Sequence, residues 1–179
     1  MTRRAWIIVG IAVVLVVGIV GLVRSFTQYM RHAYDSEPEL LDLISRGAAA
    51  YYTTPHFGAD SKRLPCQFPQ SVGLTPATSC CSLPDDPAGD DACEANEDDW
   101  NSPTWKALRF HVTGRHYYRF EFLSSGTGAD AKFAATAYGD LDCDGELSTY
   151  KLTGIGVDAP DDPCSEVGIK PVERFHEYE

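Results

Sequence analysis

Three aspartates at alternate positions form the segment of this chain that is best suited to chemistry. Residues 139–148 read Gly-Asp-Leu-Asp-Cys-Asp-Gly-Glu-Leu-Ser. The aspartates match the first, third and fifth positions of an EF-hand-type Ca²⁺ loop, and the next glycine matches the residue of its sharp turn. Three hard oxygen donors on one short arc suit Ca²⁺, because this cation tolerates irregular oxygen cages better than Mg²⁺ does. The pattern predicts a weak Ca²⁺ site with five ligands: Asp140, Asp142, Asp144, Glu146 and Ser148.

Two departures from the EF-hand pattern leave a second interpretation open. The twelfth position is Lys151 instead of a bidentate Glu, and the flanking residues are typical of strands instead of helices. Turns rich in Asp and Gly are also common without a metal, because an Asp side chain accepts hydrogen bonds from its own backbone. The segment is therefore either a weak cation site or a structural turn.

The six cysteines predict disulfide bonds in an oxidising compartment. An even number in a small domain is typical of exported proteins, and no Cys-x2-Cys pair is spaced for a zinc site. The cysteine of the Asp-rich turn is expected to bond the one in the C-terminal Asp- and Pro-rich segment, Cys143 with Cys164. A bond between neighbours would strain a very small ring, so one of Cys80 and Cys81 is expected to bond Cys66 and the other Cys93.

No catalytic site is recognisable in the sequence. None of the five histidines lies in a His-Glu-x-x-His motif, and the chain has no Gly-x-Ser-x-Gly motif, P-loop or dinucleotide-binding fingerprint. The cysteines are assigned to disulfides, so a thiol nucleophile is not expected. We therefore predict a protein that is not an enzyme and that has no cofactor apart from the weak Ca²⁺ site.

The charge of the chain restricts its partners. The formal net charge is -11 and the isoelectric point is about 4.8, which argues against nucleic acid, because nucleic-acid binding needs basic patches. Residues 85–99, here named the acidic segment, carry eight carboxylates and no Lys or Arg. This segment is either a solvated loop or a stretch whose mutual repulsion is relieved by divalent cations.

An uncharged apolar run near the N-terminus predicts a membrane anchor. Residues 5–23 are apolar or glycine, follow Arg3 and Arg4, and end before Arg24. At about 1.5 Å per residue, a helix of about 19 residues crosses a hydrocarbon core of about 30 Å. A cleaved signal peptide is the alternative, but its apolar stretch would be shorter and would end at a small-x-small site. We expect an anchor at residues 1–24 that the mature protein retains, with the cysteine-rich part outside the cytoplasm.

The remaining sequence predicts three regions of an α+β protein. Residues 25–52 are expected to form a helical extension and an amphipathic helix, interrupted near Pro38, with apolar residues at three- and four-residue spacing. Residues 53–104 form a loop region rich in Cys, Asp and Pro. Residues 105–179 combine an antiparallel sheet with a C-terminal disulfide region, because apolar residues alternate in four stretches, 108–112, 118–122, 133–137 and 147–153. The predicted fold is a long N-terminal transmembrane helix that continues into an amphipathic helix packed on this four-stranded sheet, with disulfide-rich loops.

This order of parts resembles the type IV pilin-like and pseudopilin-like proteins, of the kind found in deltaproteobacteria. The residues that carry the resemblance are the Ala-Ala-Ala-Tyr-Tyr end of the amphipathic helix and several head segments, residues 48–52, 68–69, 75–76, 104–108, 133–142, 145 and 148–150. The usual prepilin leader junction, a Gly followed by Phe-Thr-Leu-Ile-Glu, is missing.

The resemblance implies a structural or interaction protein of a type IV pilus or a related secretion filament. Its expected partners are other pilin-like subunits, filament assembly proteins and the inner membrane. Its expected location is a single pass through the inner membrane, with the C-terminal domain in the periplasm or at the cell surface. The alternative is a tethered, Ca²⁺-stabilised extracytoplasmic binding module that does not assemble into filaments.

Overall fold

The computed structural model describes residues 13–22, 37–82, 92–141, 143–159 and 162–176. The chain divides into two compact units, Met1–Ser36 and Glu37–Glu179. In the first unit, residues 13–22 form helix α1. Every residue of α1 is apolar or glycine, and its large side chains are between 46% and 73% exposed.

The predicted long N-terminal transmembrane helix is not found among the described residues. No helix in the described part of the chain is both long enough and apolar enough to cross a membrane. The prediction of a long N-terminal transmembrane helix is therefore wrong. The predicted helical extension over residues 25–36 lies outside the described residues.

The second unit packs one long helix on an antiparallel sheet. Helix α2 spans Glu37–Thr53, and the short helix α3 spans Pro103–Leu108. The strands are β1 (Val72–Thr75), β2 (Tyr118–Ser125), β3 (Lys132–Gly139), β4 (Ser148–Ala159), β5 (Asp162–Ile169) and β6 (Glu173–Phe175). The strand order is β1-β2-β3-β4-β5, and β6 also pairs with β4. Every pairing is antiparallel.

Strands β2, β3 and β4 lie where alternation predicts them, but the predicted four-stranded sheet is wrong because the sheet has six strands among the described residues. Strand β1 lies inside the region that the sequence marks as irregular, and β5 and β6 follow the predicted ones. The predicted first strand, residues 108–112, is not a strand. Ser102 caps α3 by accepting a hydrogen bond from the backbone nitrogen of Trp105, and Pro103 occupies the first turn of the helix. Arg109 then ends α3 in the left-handed conformation, with a φ of 54°.

Helix α2 packs on β3, β4 and β5 with the apolar stripe that its sequence predicts. Leu41, Ile44, Ala48 and Tyr52 are at most 1% exposed. The ring of Tyr52 stacks on Phe68 with a centroid distance of 5.0 Å, and its hydroxyl donates a 3.0 Å hydrogen bond to the carbonyl of Gly128. This contact needs a glycine in β4, because a Cβ at position 156 would collide with the Tyr52 hydroxyl and with that carbonyl oxygen.

A second aromatic cluster fills the space between α3 and β2. Trp100, Trp105 and Phe110 have pairwise centroid distances between 5.3 and 5.4 Å, and Phe110 contacts Phe120 of β2 at 5.3 Å. These side chains are at most 4% exposed. Residues 108, 110 and 112 are thus buried without strand pairing, and Phe110 is buried in this cluster.

Candidate functional site

Three disulfides hold the loops against the sheet and include all six cysteines, which all lie among the described residues. The bonds are Cys66–Cys164, Cys80–Cys93 and Cys81–Cys143, with Cα distances of 5.5, 4.7 and 5.5 Å. The predicted Cys143–Cys164 bond is wrong, and so is the predicted bond between Cys66 and one of the neighbours. The prediction that the other neighbour bonds Cys93 is confirmed. The pairing could not be predicted from the spacing of the cysteines, because the Cys66–Cys164 bond joins residues that are 98 positions apart.

The Asp-rich turn joins β3 to β4 and is capped by its own carboxylates. The Oδ2 atom of Asp140 accepts a 3.1 Å hydrogen bond from the backbone nitrogen of Gly145, which has a φ of 96°. The Oδ1 atom of Asp144 accepts a 2.8 Å hydrogen bond from the backbone nitrogen of Glu146. These contacts are the ones expected of a structural turn, and they each use one carboxylate oxygen.

The predicted Ca²⁺ ligands lie in different environments. Asp144 and Glu146 are exposed, and Asp140 is half-buried. Ser148 is fully buried and pairs with Gly139 in the ladder between β3 and β4. Asp142 lies outside the described residues. The convergence of three aspartates therefore stays a prediction, and within the described part Ser148 does not share the exposed surface of Asp144 and Glu146.

Two oxygen atoms near this turn are buried without a hydrogen-bond partner among the described residues. They are Oδ1 of Asp140 and Oγ of Ser148. A buried acceptor without a donor costs about 1–3 kcal/mol, so each atom is a candidate ligand for a cation or a polar group.

A cluster of sulfur and oxygen atoms at the same turn does not form a metal site. The Sγ atoms of Cys81 and Cys143 and a carboxylate oxygen of Asp140 lie within 4.8 Å of one another. The two sulfur atoms are bonded to each other. Metal ligation by cysteine requires a thiolate, so one carboxylate is the only hard ligand left in this group.

Among the described residues, His116 is a buried histidine whose pKa is shifted by its surroundings. Its side chain is 5% exposed, and its Nδ1 atom lies 3.1 Å from the carbonyl oxygen of Gly114. Because a carbonyl only accepts, Nδ1 carries the proton of the neutral ring. Burial lowers the pKa of His116, and the hydrogen bond to Gly114 and the charge of Asp99 offset part of this effect. The ring centroid lies 6.2 Å from that of Trp100.

A lysine-rich hollow lies on the sheet, and sequence analysis did not anticipate it. The hollow has a volume of about 560 Å³ and is bordered by Lys132, Lys151 and Lys170. The chain has five lysines, so three of them surround this one surface. The signal that could have revealed it is the position of Lys132 and Lys151, which share the outward face of neighbouring strands with apolar residues.

Comparison with known proteins gives no match to a family model, to a curated protein or to a solved structure.

Proposed function

We propose that this chain is a pilin-like structural protein of an extracytoplasmic compartment that acts through contacts between protein subunits. The oxidising compartment is supported by the three disulfides, because such bonds persist outside the reducing cytosol. The pilin-like class is supported by the resemblance of the sequence and by the packing of the apolar stripe of α2 on an antiparallel sheet.

One observation carries the proposal, the exposure of α1. Its eight large apolar side chains are all at least 46% exposed. A continuous apolar surface of this kind is rare on a protein that functions alone in water, and it marks a site of association. The proposed partners are the α1 helices of other copies or of related pilin-like subunits.

A single introduced thiol tests the proposed contact between helices. All native cysteines are in disulfides, so Val16→Cys on α1 supplies the one free thiol of the variant. Cells that make this variant are oxidised, and sheared surface filaments are separated from the cells. We expect disulfide-linked dimers in the filament fraction. The matched control is Leu43→Cys, at an apolar position of α2 that is 51% exposed. A protein that stays with the cells and gives no dimer through residue 16 contradicts the proposal.

The second candidate function is a Ca²⁺-stabilised binding module that does not assemble. It is favoured by one observation, the burial of Asp140 Oδ1 and Ser148 Oγ without a hydrogen-bond partner among the described residues. If the affinity is about 10⁻⁴–10⁻³ M, as in extracellular modules, 10 mM Ca²⁺ stabilises the fold by about 1.4–2.7 kcal/mol.

Thermal unfolding in Ca²⁺ and in Mg²⁺ tests this second candidate. The variant is Asp140→Asn, because an Asn oxygen can still accept the hydrogen bond from Gly145. The control is Glu97→Gln in the acidic segment, where the side chain is exposed. A Ca²⁺-specific rise in Tm that Asp140→Asn removes and Glu97→Gln retains supports the site. An equal response of the two variants shows that the segment is a structural turn.

A further inference from the structure

The outward face of the sheet presents an apolar floor to solvent. Leu123 of β2 pairs with Ala134 of β3, which pairs with Thr153 of β4, so these three side chains form one row across the sheet. Ile155 lies next to this row and is 47% exposed, and Leu123 is 46% exposed. Helix α2 does not cover this face, because its Tyr52 contacts β4 at Gly156, which has the opposite parity to Thr153 and Ile155 along the strand.

Three of the five lysines border this floor, although the chain as a whole is negatively charged. Lys132, Lys151 and Lys170 border the hollow, and its described lining includes no Asp or Glu. Glu121 and Glu173 lie in the same cross-strand row as Lys151, so the excess positive charge is at Lys132 and Lys170. None of the three lysines makes an ion pair or a side-chain hydrogen bond within the described part of the chain. A cationic hollow on a chain with a net charge of -11 indicates an anionic occupant.

The chain itself carries a matching anionic surface, the acidic segment. It has eight carboxylates without a Lys or Arg, and its described members Glu94, Glu97 and Asp98 are exposed. The described part of the segment, residues 92–99, is held at the far end of the sheet. The backbone of Cys93 pairs with that of His116, two residues before β2 begins, whereas the hollow lies at the end of β2, at Ser124 and Ser125.

We propose that the lysine-rich hollow of one copy binds the acidic segment of a second copy. Leu123, the first residue of β2 that lines the hollow, lies seven residues beyond His116, about 23 Å along the chain, so the described carboxylates next to Cys93 lie away from that end of their own hollow. The lysine-rich hollow and the described part of the acidic segment lie at different ends of the sheet. Each head can therefore bind one copy through its hollow and another through its acidic segment, and such contacts continue as an open assembly. The inference rests on the proposed pilin-like function and identifies the head-to-head contact that this function needs.

Zero-length cross-linking of mixed copies tests the contact directly. The full chain is purified in mild detergent in unlabelled and ¹⁵N-labelled forms, mixed, and treated with a carbodiimide at low salt. Mixed-isotope peptides are then identified by mass spectrometry. We expect links between the lysines of the hollow and the carboxylates of residues 85–99. Links to Lys62 or Lys106 alone, or an absence of mixed-isotope links, overturn the proposal.

Charge reversal measures the strength of the contact. In Lys132→Glu/Lys170→Glu both substituted side chains are exposed, and the matched control Lys62→Glu/Lys106→Glu alters two exposed lysines outside the hollow. We expect the Kd of self-association to rise about tenfold in the first variant and to stay within about twofold in the control. Equal effects of the two variants overturn the proposal.

A reciprocal charge exchange separates this inference from the function on which it rests. A second variant reverses four charges of the acidic segment: Asp85→Lys, Asp86→Lys, Asp90→Lys and Asp91→Lys. This variant is expected to bind the Lys132→Glu/Lys170→Glu variant and to restore association. If the exchange fails while α1 still cross-links in filaments, the hollow is not the head contact and the proposed function stands. If the exchange succeeds but no filament forms, the result supports the contact between heads and contradicts the pilin-like function.

Discussion

The indole nitrogen of Trp105 donates a 2.9 Å hydrogen bond to the hydroxyl oxygen of Thr75 inside the core. Trp105 is fully buried and Thr75 is 7% exposed. This bond joins α3 to β1, two elements that lie 30 residues apart and that sequence patterns do not connect.

Replacement of Thr75 by Val should destabilise the fold. Val keeps the shape of Thr but leaves the buried N–H of Trp105 without an acceptor, which costs about 1–3 kcal/mol. The measurement is the free energy of unfolding in urea. The control is Thr136→Val in β3, a buried threonine for which the structure shows no hydroxyl hydrogen bond. An equal change in the two variants would show that the Trp105–Thr75 bond contributes nothing specific.

Gly156→Ala should weaken the contact between α2 and the sheet. The added Cβ would collide with the Tyr52 hydroxyl and with the carbonyl oxygen of Gly128. Overpacking of this kind costs about 1–3 kcal/mol. The matched control is Gly73→Ala in β1, where a Cβ meets no atom within 4 Å. Thermal unfolding compares the two variants, and a Tm of Gly156→Ala equal to that of the control would be contrary to this prediction.

Stability should fall as pH drops below about 6.5, because of His116. Burial lowers its pKa in the folded state below the ordinary value of 6.5, so below pH 6.5 the unfolded chain binds more protons than the folded chain. The contribution of neutral His116 is therefore complete above pH 6.5 and is lost as pH decreases.

The pH dependence of unfolding in urea between pH 5.5 and 7.5 checks this expectation. His116→Gln should have a smaller slope of unfolding free energy against pH than the parent chain. His111→Gln, at an exposed position, should retain the parent slope. Identical slopes for the parent and His116→Gln would rule out His116 as the responsible group.

Loss of the Cys66–Cys164 bond should destabilise the head more than loss of the Cys80–Cys93 bond. The first closes a loop over 98 residues and the second over 13. In the chain-entropy model a loop of about 100 residues contributes about 4.7 kcal/mol, and one of about 15 residues contributes about 3 kcal/mol. Denaturation of the two paired Cys→Ala variants measures the difference. A larger loss in the variant without Cys80 and Cys93 would show that the entropy of the unfolded chain does not dominate the stabilisation by these bonds.

Local patterns predicted the elements whose partners lie close in sequence. The spacing of apolar residues located α2, and their alternation located β2, β3 and β4. The reason is that the residues on the buried face of a helix or strand recur at the regular period of that element. The same rule failed at residues 108–112. There, Phe110 is buried in an aromatic cluster instead of a strand pair, and the cap formed by Ser102 and Pro103 determines the local helix.

The sequence by itself determined the even set of cysteines, the acidic segment, the apolar helix and the Asp-rich turn, since these depend on residue type and short spacing. Only the tertiary structure decided which cysteines bond and that three of five lysines surround one hollow. The physical reason is that the bonds join segments far apart in the chain, and that the hollow depends on the register between paired strands. A change of one residue in that register would move the lysines to the opposite face of the sheet.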